Sequence, residues 1–160
     1  MGNGIDLLLI NPGGKKEAYE DLRFSLAAIE PPVWAGLIAA YARHKGFSVR
    51  IIDTEAEAYS DDRIIEEIME CNPVLAAIGA AGSNPSASST PKMVSAGRLL
   101  SLIKHELPQI RTALYGIHPS ALPERTLIEE QVDFVFKGEC FHTVVELLEQ
   151  LNSSSGMEDY

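Results

Sequence analysis

The sequence has little cysteine, little positive charge and no long apolar run, and each shortage removes a class of function. Its 160 residues include two cysteines, Cys71 and Cys140, which form no CxxC pair and have no histidine pair beside them. We therefore expect free thiols rather than a disulfide. A zinc or iron–sulfur site built by this chain alone is not expected either.

No apolar run approaches the roughly 20 residues that a helix needs to cross a bilayer. The N-terminus, MGNGIDLLLINPGG, lacks the basic region and the long apolar stretch of a signal peptide. We expect a cytoplasmic protein with no membrane partner.

Basic residues are outnumbered, with 13 Lys and Arg against 23 Asp and Glu and a formal net charge of −10. Binding a phosphate backbone requires a basic face, and no cluster of Lys and Arg stands out in the sequence. No nucleic-acid partner is expected.

The sequence does contain a short apolar run followed by a helical period, five times over. Alternating strands and helices predict a parallel sheet with helices on both faces. Right-handed crossovers then leave the classical dinucleotide fold and the flavodoxin-like fold. Five strands and a terminal helix favour the second: a Rossmann-like, three-layer α/β sandwich with strand order 2-1-3-4-5. The five runs are IDLLLIN, FSVRIID, PVLAAIGAA, IRTALYG and VDFVFKG.

The helical segments carry finer expectations. The first, PPVWAGLIAAYARHKG, is expected to turn Val33, Leu37, Tyr41 and His44 toward one face. The third is expected to begin at Lys92, after a loop of small residues, and to end before Pro108. Its apolar face is predicted to comprise Met93, Ala96, Leu100, Ile103 and Leu107. Residues 1–151 are expected to form one domain, and 152–160 the start of a linker or a disordered tail.

In such a sheet, ligands bind beyond the carboxyl ends of the strands, and several familiar occupants are excluded there. The first strand is followed by NPGGKKEAYED, which is neither GxGxxG nor a P-loop. The third strand ends in Gly79-Ala80-Ala81, without the Asp that a phosphorylated receiver domain requires. After it comes GSNPSASS, residues 82–89, whose small side chains leave room for a ligand.

With these strand ends identified, the chain resembles the N-terminal cobalamin-binding domain of cobalamin-dependent radical SAM enzymes. The resemblance spans roughly residues 5–151. It depends on the order and spacing of several individually weak motifs rather than on any one of them. The motifs are LLLINPGG, EPPVWAGLIAAYARHKGFSVRIIDTEAEAYSDDRIIEEIMECNP, GSNPS, YGIHPSALPE and VDFVFKGECFHTVVELLEQL.

The resemblance implies a corrin ring over the carboxyl ends of the strands, with the nucleotide tail of cobalamin in a slot between the sheet and the helices. Ser83, Asn84 and Ser86 would then offer hydrogen bonds to the tail. No catalytic residue and no metal ligand is assigned. The residues matching the family's cofactor-binding loops are Asn11, Pro12, Gly13, Gly82, Ser83, Asn84, Ser86, Gly116, Ile117, His118, Pro119, Gly138 and Glu139.

Mutases and methionine synthases carry DxHxxG after their first strand, and its His replaces the benzimidazole on cobalt. This chain has no His there, so the resemblance implies base-off cobalamin without a His lower ligand. His118 is expected to be a turn residue rather than a cobalt ligand.

Three departures from the family bear on function. The chain has GECF, residues 138–141, where the family often has Gly-Glu-Gly-Glu. Tyr115 stands where the family often has Gly, and would either narrow the slot or face away from it. The CxxxCxxC motif of a radical SAM barrel is absent from this sequence. The resemblance therefore implies a non-catalytic module, cut from a longer enzyme or encoded alone. A barrel domain in the same or another chain would supply S-adenosylmethionine and the iron–sulfur cluster, with methyl transfer the expected reaction.

Two other functions remain open from the residues themselves. One is a flavodoxin-like binder of another nucleotide or phosphate ligand. The other is a degenerate domain kept for protein interaction, with an empty slot.

Overall fold

A computed structural model describes residues 4–13, 31–81 and 85–155; for 85–89 and 154–155 it describes the backbone only. Five parallel strands form one sheet in the order β2-β1-β3-β4-β5, which confirms the predicted fold class and strand order. The central strands β1 and β3 are buried along their whole length, because helices cover both of their faces. The strands are β1 (Leu7–Asn11), β2 (Val49–Asp53), β3 (Leu75–Ala80), β4 (Thr112–Gly116) and β5 (Phe134–Val135).

Two helical layers enclose this sheet. Helices α1 and α6 share one apolar core with one face of the sheet, and α2 and α3 share another core with the opposite face. The short helices α4 and α5 follow β4 and are separated at Leu122. The helices are α1 (Val33–His44), α2 (Asp61–Cys71), α3 (Pro85–Glu106), α4 (Ile117–Ala121), α5 (Pro123–Glu129) and α6 (Phe141–Ser155).

The predicted grouping of Val33, Leu37, Tyr41 and His44 on one face of α1 does not identify the buried face of the helix. Val33 and Leu37 are 55% and 48% exposed, and the buried stripe consists of Ala35, Ile38, Ala39 and Ala42. Both stripes have helical spacing, so periodicity alone does not decide between them. The alanine-rich stripe is the buried one because small side chains let the helix backbone approach the sheet closely. The bulkier residues then lie at the surface.

The predicted start of α3 at Lys92 is wrong. The helix begins at Pro85 and includes Pro91, so most of the expected small-residue loop is helical. A proline removes one backbone hydrogen bond. Here it does not end the helix, because the residues that follow pack on the sheet. Their predicted inner face is confirmed, since Met93, Ala96, Leu100, Ile103 and Leu107 are all buried.

The last helix, α6, continues through Ser155. Asn152 donates a hydrogen bond from Nδ2 to Asp6 Oδ1 at 2.9 Å, which ties this helix to the segment that leads into β1. A domain boundary after residue 151 stays a prediction. Within the described ranges, no helix combines the length and apolar character that a membrane crossing requires.

Candidate functional site

The carboxyl edge of the sheet opens into two adjacent cavities, of about 480 Å³ and 230 Å³. Trp34, Ala81 and Tyr115 line both of them and form the partition between them. The larger volume lies within the range of roughly 300–1,000 Å³ that is common for small-molecule and cofactor sites. We refer to them as the larger and the smaller cavity.

The larger cavity has mostly apolar walls, and each wall comes from the end of a different element. Helix α1 supplies two side chains, β3 and β4 supply their carboxyl ends, and α4 and the turn before α6 close the far side. The described residues lining it are Trp34, Ile38, Ala81, Tyr115, Gly116, Ile117, Ser120, Ala121, Gly138, Glu139 and Cys140.

Gly116 shapes the larger cavity through its backbone. Its φ is +136°, and a Cβ atom there would lie 2.2 Å from the carbonyl oxygen of Ala80 on the neighbouring strand. A side chain is therefore excluded both by conformation and by space. Glycine lets the chain turn from β4 directly into α4 along the cavity wall.

The rim beside β5 is held by one hydroxyl. The Gly138 amide donates to Ser120 Oγ at 3.0 Å, and that hydroxyl donates to the carbonyl oxygen of Phe136 at 3.4 Å. Gly138 has a φ of +77° but faces open space. The next residue, Glu139, is exposed at the rim.

Cys140 forms a buried part of the same wall. Burial raises the pKa of its thiol to about 12, so at neutral pH it is a protonated, weakly polar group rather than a thiolate that could bind metal. The other cysteine, Cys71, packs in the core on the opposite face of the sheet. Among the described residues, no cluster of three His, Cys, Asp or Glu could hold a metal ion.

The smaller cavity contains a chain of polar groups. Asn11 is 5% exposed and accepts a hydrogen bond from Lys92 Nζ at 2.8 Å, while its Nδ2 donates to Asp53 Oδ1 at 3.1 Å. This chain fixes the amide orientation and directs an ammonium group to the cavity wall. The described residues lining it are Asn11, Pro31, Pro32, Val33, Trp34, Ala35, Leu37, Gly79, Ala81, Lys92 and Tyr115.

The loop after β1 is anchored to β2 rather than exposed in a cavity. The Gly13 amide donates to Thr54 Oγ1 at 3.0 Å, and the Thr54 hydroxyl donates to the Asn11 carbonyl oxygen at 3.1 Å. Pro12 is buried. Neither Pro12 nor Gly13 is among the described residues that line the two cavities.

Tyr115 faces the slot. It is 4% exposed and lies on the α1 side of the sheet. Its hydroxyl oxygen lies over Gly79, where an added Cβ atom would come within 2.6 Å of it. Gly79 thus makes room for the ring. Burial raises the pKa of Tyr115, so its phenol keeps its proton at neutral pH.

The remaining predicted residues belong to α4 or to the segment that follows β3. His118 Nδ1 is 3.2 Å from Thr90 Oγ1, so the imidazole bonds to α3. Ile117 is half exposed at the larger cavity, and Pro119 is buried behind it. Gly82, Ser83, Asn84 and the side chain of Ser86 lie outside the described residues.

The structure brings together four predicted residues at the larger cavity and one, Asn11, at the smaller. Sequence reasoning missed the helical contributors, above all Trp34, Ile38 and Lys92. Trp34 carried a usable signal, since the only tryptophan of the chain directly follows the Pro-Pro-Val start of α1. The sequence did not indicate that Lys92 lines a cavity, because this position depends on α3 beginning at Pro85 rather than at Lys92.

Comparison with known proteins points to one family. A family model described as a B12 binding domain matches residues 19–148. The cytidylyl-2-hydroxyethylphosphonate methyltransferase of Streptomyces wedmorensis is 28% identical over 165 aligned positions, covering 92% of this chain and 29% of its own length. The anaerobic magnesium-protoporphyrin IX monomethyl ester cyclase of Rubrivivax gelatinosus is 27% identical over 155 positions, with coverages of 96% and 26%. The chain thus spans under a third of the length of these relatives.

Solved structures share the fold. The radical S-adenosylmethionine methyltransferase TsrM from Kitasatospora setae, with cobalamin and a [4Fe-4S] cluster bound, superposes with a TM-score of 0.73 at 14% identity; the match covers 95% of this chain and 25% of TsrM. The receiver domain of NtrX from Brucella abortus gives a TM-score of 0.54 at 13% identity, covering 92% of this chain and 98% of that domain. At these identities the likeness concerns the fold alone.

Proposed function

Because the chain belongs to the B12-binding domain family, we propose that it is the cobalamin-binding module of a radical SAM enzyme, and that it holds its cofactor base-off at the carboxyl edge of the sheet. The observation that carries this proposal is the larger cavity, which lies between the sheet and α1 at the edge where ligands of such sheets bind.

The residues present fit the cofactor. The nucleotide tail of cobalamin ends in a flat, largely apolar base. Such a base suits the walls made by Ile38, Ala121 and the protonated Cys140, and the cavity volume of about 480 Å³ can accommodate it. Gly116 lets β4 turn into α4 along the cavity wall, since any side chain there would collide with Ala80. These are the properties that a buried nucleotide tail requires.

The corrin ring carries carboxamide side chains, and the groups beside β1 match them. Asn11 and Lys92 supply an amide and an ammonium group at the smaller cavity, and Glu139 supplies an exposed acceptor at the rim of the larger one. Pro12, Gly13 and residues 82–84 and 86 remain proposed contacts from the family's loops.

Base-off binding without a histidine ligand is supported by the composition of the walls. No histidine is among the described residues that line either cavity, and His118 bonds to Thr90 instead. When bound, cobalamin supplies a cobalt centre that can accept and donate a methyl group. The task of the chain's own residues is to bind the cofactor, orient it and shield its tail from water.

A second domain would complete the enzyme. The relatives are more than three times as long as the aligned chain, and apolar side chains surround the edge. Val33, Leu37, Ile117 and Leu122 are 40–55% exposed there, which suits contact with another domain. That domain would supply S-adenosylmethionine and the iron–sulfur cluster, and methyl transfer is the reaction we propose.

The experiment is a titration of the chain with hydroxocobalamin, in which binding is measured by the quenching of Trp34 fluorescence. Trp34 is the only tryptophan and lines both cavities. Ala121→Phe should fill the larger cavity and weaken binding at least tenfold. Ala40→Phe, on the exposed side of α1, should leave binding unchanged. Failure of the unaltered chain to bind would contradict the proposal, and uptake of flavin mononucleotide instead would favour a different cofactor class.

A further inference from the structure

Tyr115 carries a hydroxyl group for which the described residues, 4–13, 31–81 and 85–155, provide no partner. No described residue hydrogen-bonds to it, and burial and the nearby Cys140 account for its electrostatic surroundings. Yet the described residues contain no buried side-chain oxygen or nitrogen that lacks a partner. The hydroxyl of this side chain, which is 4% exposed and lines both cavities, therefore keeps some surface accessible to them.

A ligand that fills the cavity changes which hydrogen-bond partners this hydroxyl can reach. In the unliganded chain, water in the cavity can serve it. A bound ligand displaces that water, and a phenolic donor then left without a partner destabilises the complex. The ligand is therefore expected to present an acceptor to Tyr115.

The other polar side chains of the larger cavity do not compete for this role. The Ser120 hydroxyl is already bonded to Gly138 and Phe136. Glu139 is exposed and, as a carboxylate, accepts only. Trp34 is 36% exposed, so bulk water reaches its side chain. Among the described lining residues, Tyr115 is the deeply buried strong donor.

The base of a base-off cobamide requires a hydrogen-bond donor. Release from cobalt frees the lone pair of its ring nitrogen, and burial of that nitrogen against Ile38, Ala121 and Cys140 would leave it without a hydrogen bond. We infer that the Tyr115 hydroxyl donates to this nitrogen, and that it makes the site selective for cobamides whose lower base carries such an acceptor. This inference rests on the proposed function. It also gives a role to a tyrosine at a position where the family often has glycine.

The test combines a change in the protein with a change in the ligand. Tyr115→Phe removes one oxygen atom, and should weaken cobalamin binding roughly three- to tenfold. A phenolyl cobamide has no ring nitrogen in its lower base, and cobinamide has no base at all; their affinities should change less than twofold. Tyr59→Phe is the matched control, because this partly buried side chain packs against the core on the opposite face of the sheet, and the variant should bind all three ligands as the unaltered chain does.

The outcomes separate this inference from the proposed function. Absence of cobalamin binding by the unaltered chain overturns both. Normal cobalamin binding by Tyr115→Phe overturns the inference alone, and so does an equal loss for cobalamin and cobinamide, which would mark Tyr115 as structural.

Discussion

The two cavities share a wall but differ in chemistry. The larger one is lined mainly by apolar groups, while the smaller one is lined by Lys92 and by Asn11, which also bonds to Asp53. Tyr115 belongs to both, with its ring in one apolar wall and its hydroxyl at the partition. The difference indicates a ligand with two unlike parts, one flat and apolar and the other fringed with polar groups.

The larger cavity should be the more sensitive to backbone changes. Gly116→Ala combines a φ of +136° with a Cβ atom 2.2 Å from the Ala80 carbonyl oxygen, so we expect a loss of about 3 kcal/mol or more in unfolding free energy. Gly138→Ala is the matched control, because its φ of +77° is also positive but nothing lies within 4 Å of its Cβ position. It should lose only about 1–2 kcal/mol. Equal losses in chemical denaturation would show that space at Gly116 is not the reason for its glycine.

The smaller cavity should respond to charge rather than to volume. Lys92→Met keeps much of the side-chain length but removes the ammonium group from the wall of the smaller cavity, and should weaken cobalamin binding about tenfold, as expected when a hydrogen bond from a charged group to the ligand is lost. Lys45→Met, at the exposed C-terminal end of α1, provides the control. Unchanged affinity after Lys92→Met would remove the smaller cavity from the binding site.

The smallest expected effect concerns the pH dependence of stability. Burial raises the pKa of Cys140 to about 12, against an ordinary value of 9.0. The folded chain therefore keeps its thiol proton where the unfolded chain loses it, and the stabilising contribution is complete below pH 9 and lost as the pH rises toward 12. From pH 9 to 10 this group should lower the unfolding free energy by about 1 kcal/mol. Cys140→Ala should reduce that slope, and an unchanged slope in pH-dependent denaturation would contradict the assignment.

Much of the fold could be predicted because the strands are short, continuous apolar runs that end in clear turn residues. The same logic put Asn11, Gly116 and Gly138 at one edge, since parallel strands end together. It could not identify the buried face of α1, because two apolar stripes have equal periodicity and only packing distance selects Ala35 and Ile38 over their neighbours.

The chemistry of the cavities was harder to predict. Trp34 and Lys92 come from helices, and their approach to the edge depends on where those helices begin. Whether Tyr115 narrowed the slot or turned away depended on Gly79, one strand across, and no local pattern links the two residues. Contacts between strands are set by register, which a single sequence does not specify residue by residue.

The central claim is that the larger cavity receives the tail of base-off cobalamin, and an absorbance titration of the unaltered chain with methylcobalamin tests it most directly. The account predicts saturable, one-to-one binding with the spectral shift of a benzimidazole displaced from cobalt. A spectrum that stays that of free, base-on methylcobalamin at excess protein would contradict it.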